Sequence, residues 1–140
     1  MTWRLAKSLD TLRKQVNETW PERSKKSDGT IGDAKHASRS SDHNPWVKSG
    51  GLGIVTALDI TNDPDGGPVS HDIALALVAS KDKRIKYIIS NAQICSGSDQ
   101  ERPAWEWRKY TGSNAHRQHV HISVKPIKAL YDSTDQWKIK

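Results

Sequence analysis

Hydrophobic residues near the N-terminus recur with the spacing of an amphipathic α-helix. Five of them step by four, three, four and four residues and so share one helical face: Leu5, Leu9, Leu12, Val16 and Trp20. Pro21 follows directly, and a proline disfavours helical geometry in the residue before it. The pattern predicts a helix over about residues 4–20 with one face buried.

Short alternating runs that are typical of β-strands follow later in the chain. They comprise residues 54–61, residues 85–90 with 93–95, and residues 119–124. Asn91-Ala92 separates the middle pair and predicts a hairpin turn. In the first run the alternation places Asp59 on the face opposite Leu58 and Ile60, so this carboxylate is predicted to lie on a strand.

The segments between these runs predict one further helix and two irregular regions. Turn-forming residues fill 62–68, and Ser70 is the predicted N-cap of a helix that ends near Ser80. Residues 22–53 lack periodic hydrophobicity and are predicted to be irregular with at most short turns, and residues 96–118 to form a polar loop. Together the elements predict an α+β fold, a small antiparallel sheet with flanking helices.

Length and composition narrow the class of protein. The 140 residues fit a single domain, and no apolar run approaches the roughly 20 residues of a membrane helix, so we expect no membrane insertion. The first residues lack the apolar segment of a secretory signal, so we expect synthesis in the cytoplasm. Cys95 is the only cysteine, which excludes an internal disulfide and a multi-cysteine zinc site. The net charge of +6 suits a polyanionic partner, either nucleic acid or an anionic cell-wall polymer.

Three histidines are concentrated at the last predicted strand. The spacing His-x-x-His-x-His, at His116, His119 and His121, is expected only about 0.01 times by chance in a chain of this length with six histidines. On a strand, His119, His121 and Ser123 share one face. The pattern therefore predicts two imidazoles side by side with a third close in sequence.

Asp59, together with the histidines, suggests a metal-binding site. A carboxylate in an apolar strand is costly to bury unless it is paired or binds a cation. Two imidazoles and one carboxylate leave a fourth position open, which is the ligand count of catalytic zinc sites. Such a set of nitrogen and oxygen donors favours zinc over magnesium or calcium.

Three sequence elements resemble the zinc peptidases of the D-Ala-D-Ala carboxypeptidase and phage L-alanyl-D-glutamate endopeptidase group, which share a fold with the hedgehog signalling domain. The elements are Ser-x-His at 41–43, Gly-x-x-x-Ala-x-Asp-Ile at 53–60 and His-x-His at 119–121. The resemblance covers about residues 29–124, and the stretches SDHNP, ALDIT and YTGSNAHRQHVHISV are most similar to actinobacterial and phage members. The N-terminal helix and the tail at 125–140 lie outside it.

This resemblance implies roles for individual residues. His43, Asp59 and His121 would bind one zinc ion, and His119 would be catalytic. Gln118 stands where the family places its general base, and glutamine cannot accept a proton, so the base would be His116 or His119. Fifteen residues separate His43 from Asp59 where the family usually has six, and we interpret residues 46–52 as an inserted glycine-containing loop.

Two further residues are predicted to bind substrate. Arg39 lies just before the first element, where the family tends to place a basic residue for a substrate carboxylate. Trp107 precedes the last strand, and its aromatic ring would form one wall of the substrate groove.

The expected function is hydrolysis of a peptide bond in peptidoglycan stem peptides by a monomeric, zinc-dependent enzyme. The bond would join two D-alanines or L-alanine to a D-amino acid, and the enzyme would reach the wall after release, as a phage lysin does, or by a separate export route. Two alternatives stay open. One is a non-catalytic zinc module that binds wall peptides or a protein, and the other is a His-hydrophobic-His nuclease, which would need a tyrosine nucleophile.

Overall fold

The structure, a computed structural model, describes residues 2–31, 41–112 and 115–140. This part of the chain contains helices and two β-sheets, joined by loops. The helices there are α1 (Lys7–Thr19), α2 (Ser70–Ser80) and α3 (Lys128–Tyr131). The strands are β1 (Trp3–Leu5), β2 (Val47–Ser49), β3 (Leu52–Val55), β4 (Ala57–Thr61), β5 (Ile85–Ser90), β6 (Gln93–Ser96), β7 (Trp107–Lys109) and β8 (His119–Val124). The predicted α+β class is confirmed.

The larger sheet has the strand order β4-β8-β5-β6-β7, and all neighbouring strands are antiparallel. Helix α2 packs against β5 and β8. The core buries apolar side chains of this helix with those of the sheet, among them Ile73, Leu77, Leu58, Ile88 and Ile122. Because side chains alternate along a strand, the neighbouring residues Asp59 and His121 face the other side of the sheet.

The smaller sheet has the order β1-β3-β2 and corrects two expectations. Residues 46–52, expected to be an inserted loop in an irregular region, lie largely within the β2–β3 hairpin, whose turn uses Gly50 and Gly51 at φ +57° and +83°. The predicted strand over 54–61 is in fact divided at Thr56, whose N–H donates to Asp42 O at 3.2 Å. β3 therefore belongs to the smaller sheet and β4 to the larger one.

The other predicted elements are confirmed, with local differences. The first helix begins at Lys7 because Trp3–Leu5 pair in parallel with β3.

The second helix spans Ser70–Ser80 as expected, but Ser70 is its first helical residue and its N–H donates to Asn62 Oδ1. The hairpin turn at Asn91 and Ala92 has φ of 53° and 65°, and β7 lies inside the region expected to be a polar loop.

The C-terminal tail belongs to the core. Tyr131, Trp137 and Ile139 are buried in the same cluster as α1. The Trp137 indole donates to Ser8 O at 2.9 Å, and the Arg84 guanidinium lies 3.7 Å from the centre of the Trp137 ring. None of the described helices is both long and apolar enough to cross a membrane.

Candidate metal centre

Five of the predicted site residues converge on the face of the larger sheet that α2 does not cover. They are His43, Asp59, His116, His119 and His121. β4 and β8 supply three of them: Asp59 is the direct cross-strand partner of His121, and His119 is that of Thr61. The antiparallel register therefore places residues 62 positions apart in the chain next to each other.

Asp59 is the centre of the cluster. Its Oδ1 lies 3.1 Å from His121 Nδ1, and its Oδ2 lies 3.2 Å from His43 Nε2 and 3.6 Å from His119 Nε2. Burial opposes ionisation of this carboxyl, but hydrogen bonds with His121 and His43 outweigh it and hold the pKa of Asp59 well below its ordinary value. Asp59 is therefore a carboxylate at neutral pH.

The orientation of His43 favours a cation between its ring and Asp59. Its Nδ1 lies 2.6 Å from Thr30 O, and a carbonyl oxygen accepts only, so Nδ1 carries the proton and donates it. In a neutral ring Nε2 then presents a lone pair to Asp59 Oδ2, another acceptor. Burial lowers the pKa of His43, but the contacts with Asp59 outweigh it and raise the pKa overall. A proton or a metal ion between these two atoms resolves the conflict.

His121 is held from both ring nitrogens. Its Nε2 lies 2.9 Å from Ser123 Oγ, while Nδ1 faces Asp59. The ring of Tyr87 stacks on the His121 ring with centroids 5.5 Å apart and planes within 8°. Burial, with the nearby Asp42 carboxylate, raises the pKa of Tyr87 to about 12. These contacts fix the ring so that one nitrogen points to the cluster, as is usual for metal-binding histidines.

His116 and His119 lie beside the other three residues of the cluster. Their ring centroids are 4.9 Å apart, and both residues line a cleft of about 520 Å³ with Ser27, Ala115, Arg117 and Gln118. Among the described residues His119 Nε2 has no hydrogen-bond partner, and burial lowers the pKa of this ring. His116 has a φ of +53°, and its carbonyl accepts a hydrogen bond from Asn91 N.

A loop residue that was absent from the sequence-based site also shapes the cluster. Gly29 pairs with Asp59 through both backbone groups, at 2.9 and 3.2 Å, and covers the free edge of β4. A Cβ on Gly29 would lie 3.1 Å from Asp59 Oδ2. Only a glycine lets the backbone approach this carboxylate without a shift, and a glycine in an irregular segment gives no sequence signal for such a contact.

The two predicted substrate-binding residues stand apart from this cluster. Arg39 lies outside the described residues. Trp107 is paired in register with Cys95, in the row of the sheet that continues through Ile88 to Ile122. That row faces the side opposite Asp59 and His121, and the Trp107 ring lies 5.7 Å from the His71 ring of α2. The structure does not bring Trp107 to the cluster.

The donor atoms fit a transition-metal ion. His43, Asp59 and His121 each offer one ligand atom, and these atoms lie within 4.8 Å of one another. A second group, Asp59, His116 and His119, meets the same distance limit. Two imidazole nitrogens and a carboxylate oxygen suit zinc and its neighbours better than magnesium or calcium. In comparisons with known proteins, no family model, curated protein or solved structure matches the chain.

Proposed function

We propose that this chain is a zinc-dependent peptidase that hydrolyses peptide bonds in peptidoglycan stem peptides, with a fold of the hedgehog/DD-peptidase type. One observation carries the proposal: the three residues that the family resemblance nominates as ligands, His43, Asp59 and His121, converge on one point although they are distant in sequence. His116 and His119, the nominated catalytic residues, lie beside that point and line an open cleft.

The ligand set would hold one zinc ion through His43 Nε2, His121 Nδ1 and the Asp59 carboxylate. A zinc ion held there supplies Lewis-acid chemistry, since it polarises a carbonyl and acidifies water. Thr30 O and Ser123 Oγ orient the two imidazoles through their second nitrogens. Asp59 contributes the negative charge that a divalent cation requires.

His116 and His119 supply the proton transfers. A neutral imidazole can accept the proton of the attacking water and return it to the leaving amine, and the partner ring can donate a hydrogen bond to the developing oxyanion. Either ring can serve as the base, because they are adjacent and both line the cleft. Gln118 lines the same cleft but cannot take this role, since an amide is not a base at neutral pH.

The cleft and the charge of the chain fit a wall substrate. A peptide chain can lie along an open cleft of about 520 Å³, and Arg117 at its wall suits a carboxylate of the stem peptide. The net charge of +6 favours approach to an anionic polymer. We propose that the enzyme acts on the wall after release from the cell or through a separate export route.

Metal content and bond cleavage, measured on the same samples, test the proposal. Wild type, Asp59→Ala and His121→Ala are purified, their zinc is quantified, and new amino groups released from purified peptidoglycan are followed. We expect one tightly bound zinc per chain in wild type, and loss of both zinc and amine release in the two variants. His71→Ala is the matched control, because His71 is a partly buried histidine that bonds Ser90 Oγ on the other side of the sheet.

The outcomes separate the proposal from its alternatives. Zinc binding without amine release from any wall type would overturn the peptidase and favour a binding module. A wild-type protein without zinc would overturn the metal centre itself and direct the next assays to nucleic acid. Circular dichroism of each variant separates loss of the site from loss of the fold.

A further inference from the structure

The cluster contains two groups of three donor residues, and each group could hold one metal ion. His43 and His121 have ring centroids 4.9 Å apart with planes at 81°, and His116 and His119 have centroids 4.9 Å apart with planes at 85°. Each pair forms a group of three donors with Asp59 inside the same distance limit. The second pair therefore repeats the arrangement of the first.

Asp59 has the capacity to serve both groups. A carboxylate offers about four lone-pair positions on its two oxygens. Oδ1 faces His121, while Oδ2 lies between His43 Nε2 at 3.2 Å and His119 Nε2 at 3.6 Å. Bridging carboxylates of this kind occur in sites that hold two cations about 3.5–4 Å apart.

We propose that His116, His119 and Asp59 form a second binding site for a divalent transition-metal ion, and that its occupation inhibits the enzyme. The site takes zinc, copper or nickel rather than magnesium or calcium, because two of its three donors are imidazole nitrogens. Ions reach it from solution through the cleft that His116 and His119 line.

Charge makes the second site weaker than the first. Asp59 is the one carboxylate that the two groups share, so its single negative charge would offset only a quarter of the charge of two divalent cations. The cations also repel each other at such a short separation, and Arg117 adds positive charge at the cleft wall. We expect an affinity roughly tenfold or more below that of the first site.

Inhibition follows because metal binding and proton transfer would use the same nitrogen lone pairs of His116 and His119. This part of the inference rests on the proposed peptidase function, in which His116 and His119 transfer protons. A ring nitrogen that binds a cation cannot accept a proton at the same time. Activity should therefore rise with the first equivalent of zinc and fall with the second.

The test is a metal titration of the full chain after chelator treatment, with zinc as the probe and calorimetry as the readout. Wild type should bind two equivalents of zinc with separated affinities. His116→Ala and His119→Ala should keep the tight equivalent and lose the weak one, whereas His43→Ala should lose the tight one. His71→Ala should behave as wild type, and His119→Asn replaces His119→Ala if circular dichroism shows that the latter does not fold.

Failure of this inference and failure of the peptidase proposal give different results. A single equivalent in wild type, or a weak equivalent that persists in both His116→Ala and His119→Ala, overturns the second site while hydrolysis at one equivalent upholds the peptidase. Two equivalents with no hydrolysis of wall peptides overturn the peptidase and uphold the second site. Activity that is unchanged when the second equivalent binds overturns the inhibitory role.

Discussion

At the scale of single residues, the candidate site depends on backbone and side-chain groups that contact Asp59 and the histidines. Ser123 shares a predicted face with His119 and His121, and the structure gives it a definite role as the partner of His121 Nε2. Thr30 and Gly29 fall in a segment without periodic pattern, so local sequence could not predict their contacts. For His43, only the resemblance to a family element predicts a place at the site, because the contact between its loop and β4 joins residues distant in sequence.

At the proposed zinc site, we predict that Ser123→Ala weakens zinc binding about 10- to 100-fold, because removal of a residue that orients a metal ligand typically has that effect. The variant also leaves His121 Nε2 buried without a partner, at a cost of about 1–3 kcal/mol in unfolding free energy. Zinc calorimetry and urea unfolding measure the two effects. Ser90→Ala is the matched control, a buried strand serine that bonds an imidazole away from the site. Equal loss of zinc affinity in both variants would contradict the orienting role.

We predict that Gly29→Ala lowers zinc affinity about tenfold, because the new Cβ lies 3.1 Å from Asp59 Oδ2 and displaces the carboxylate. Gly51→Ala provides the comparison: its φ of +83° makes a side chain unfavourable by about 1–2 kcal/mol, yet no atom lies within 4 Å of its added Cβ. Gly51→Ala should therefore reduce stability and leave zinc affinity unchanged. Unchanged affinity in Gly29→Ala would show that Asp59 tolerates the displacement.

At the scale of elements, periodicity predicted the long or strongly patterned segments well. The first helix, α2, the β5–β6 hairpin and β8 all lie within a few residues of their expected bounds. The sequence does not predict the division of the 54–61 strand at Thr56. The alternation of side chains continues through Thr56, although the chain passes there from one sheet to the other. The pattern does not predict β2 or its hairpin with β3, because three or four residues on either side of two glycines are too few to show alternation.

The segment that covers the edge of β4 is fixed by a buried ion pair. Arg23 has a fully buried side chain and forms two hydrogen bonds with the Asp28 carboxylate, at 2.7 and 2.9 Å, while Thr61 donates to the same carboxylate. Burial opposes ionisation of Asp28, but Arg23 and Thr61 outweigh it, so its pKa is lowered. The pair therefore anchors residues 23–30 over the site.

We predict that Asp28→Asn destabilises the fold by about 3 kcal/mol at pH 7, because Arg23 is left as a buried charge without its carboxylate. Since the folded pKa of Asp28 lies below the unfolded value of about 3.9, this contribution is complete above that pH and is lost as the pH falls through the folded pKa. Urea unfolding should show the difference between wild type and variant shrinking below about pH 4. Asp10→Asn, which removes a half-exposed surface pair, should cost no more than about 1 kcal/mol.

At the scale of the whole molecule, the core extends beyond residues 29–124, the region that the proposed family resemblance covers. The resemblance ends near residue 124, whereas Trp137 is 4% exposed and contacts both α1 and Arg84. The tail lies outside that resemblance, yet three of its side chains, Tyr131, Trp137 and Ile139, are buried in the core. Residues outside the similar region thus contribute to the stability of the same domain.

We predict that Trp137→Ala costs about 3–5 kcal/mol of unfolding free energy, the usual range for removing a buried aromatic side chain. Lys138→Ala, at an exposed position one residue later, should change stability by no more than about 0.5 kcal/mol. Thermal unfolding of both variants measures this difference. Similar stability of the two variants would mean that the tail is not part of the cooperative fold.

Strand order also determines when during synthesis the larger sheet and the cluster on its face can form. β8 is the last strand in the chain but lies between β4 and β5 in the larger sheet. Until the ribosome has released residues 119–124, β4 and β5 have no common neighbour, and both present open edges that can pair with other chains. Asp59 likewise has no contact with its cross-strand partner His121 until β8 has been synthesised. A shortened chain that stops before β8 would therefore be prone to aggregation and would lack His119 and His121, two of the five residues of the cluster.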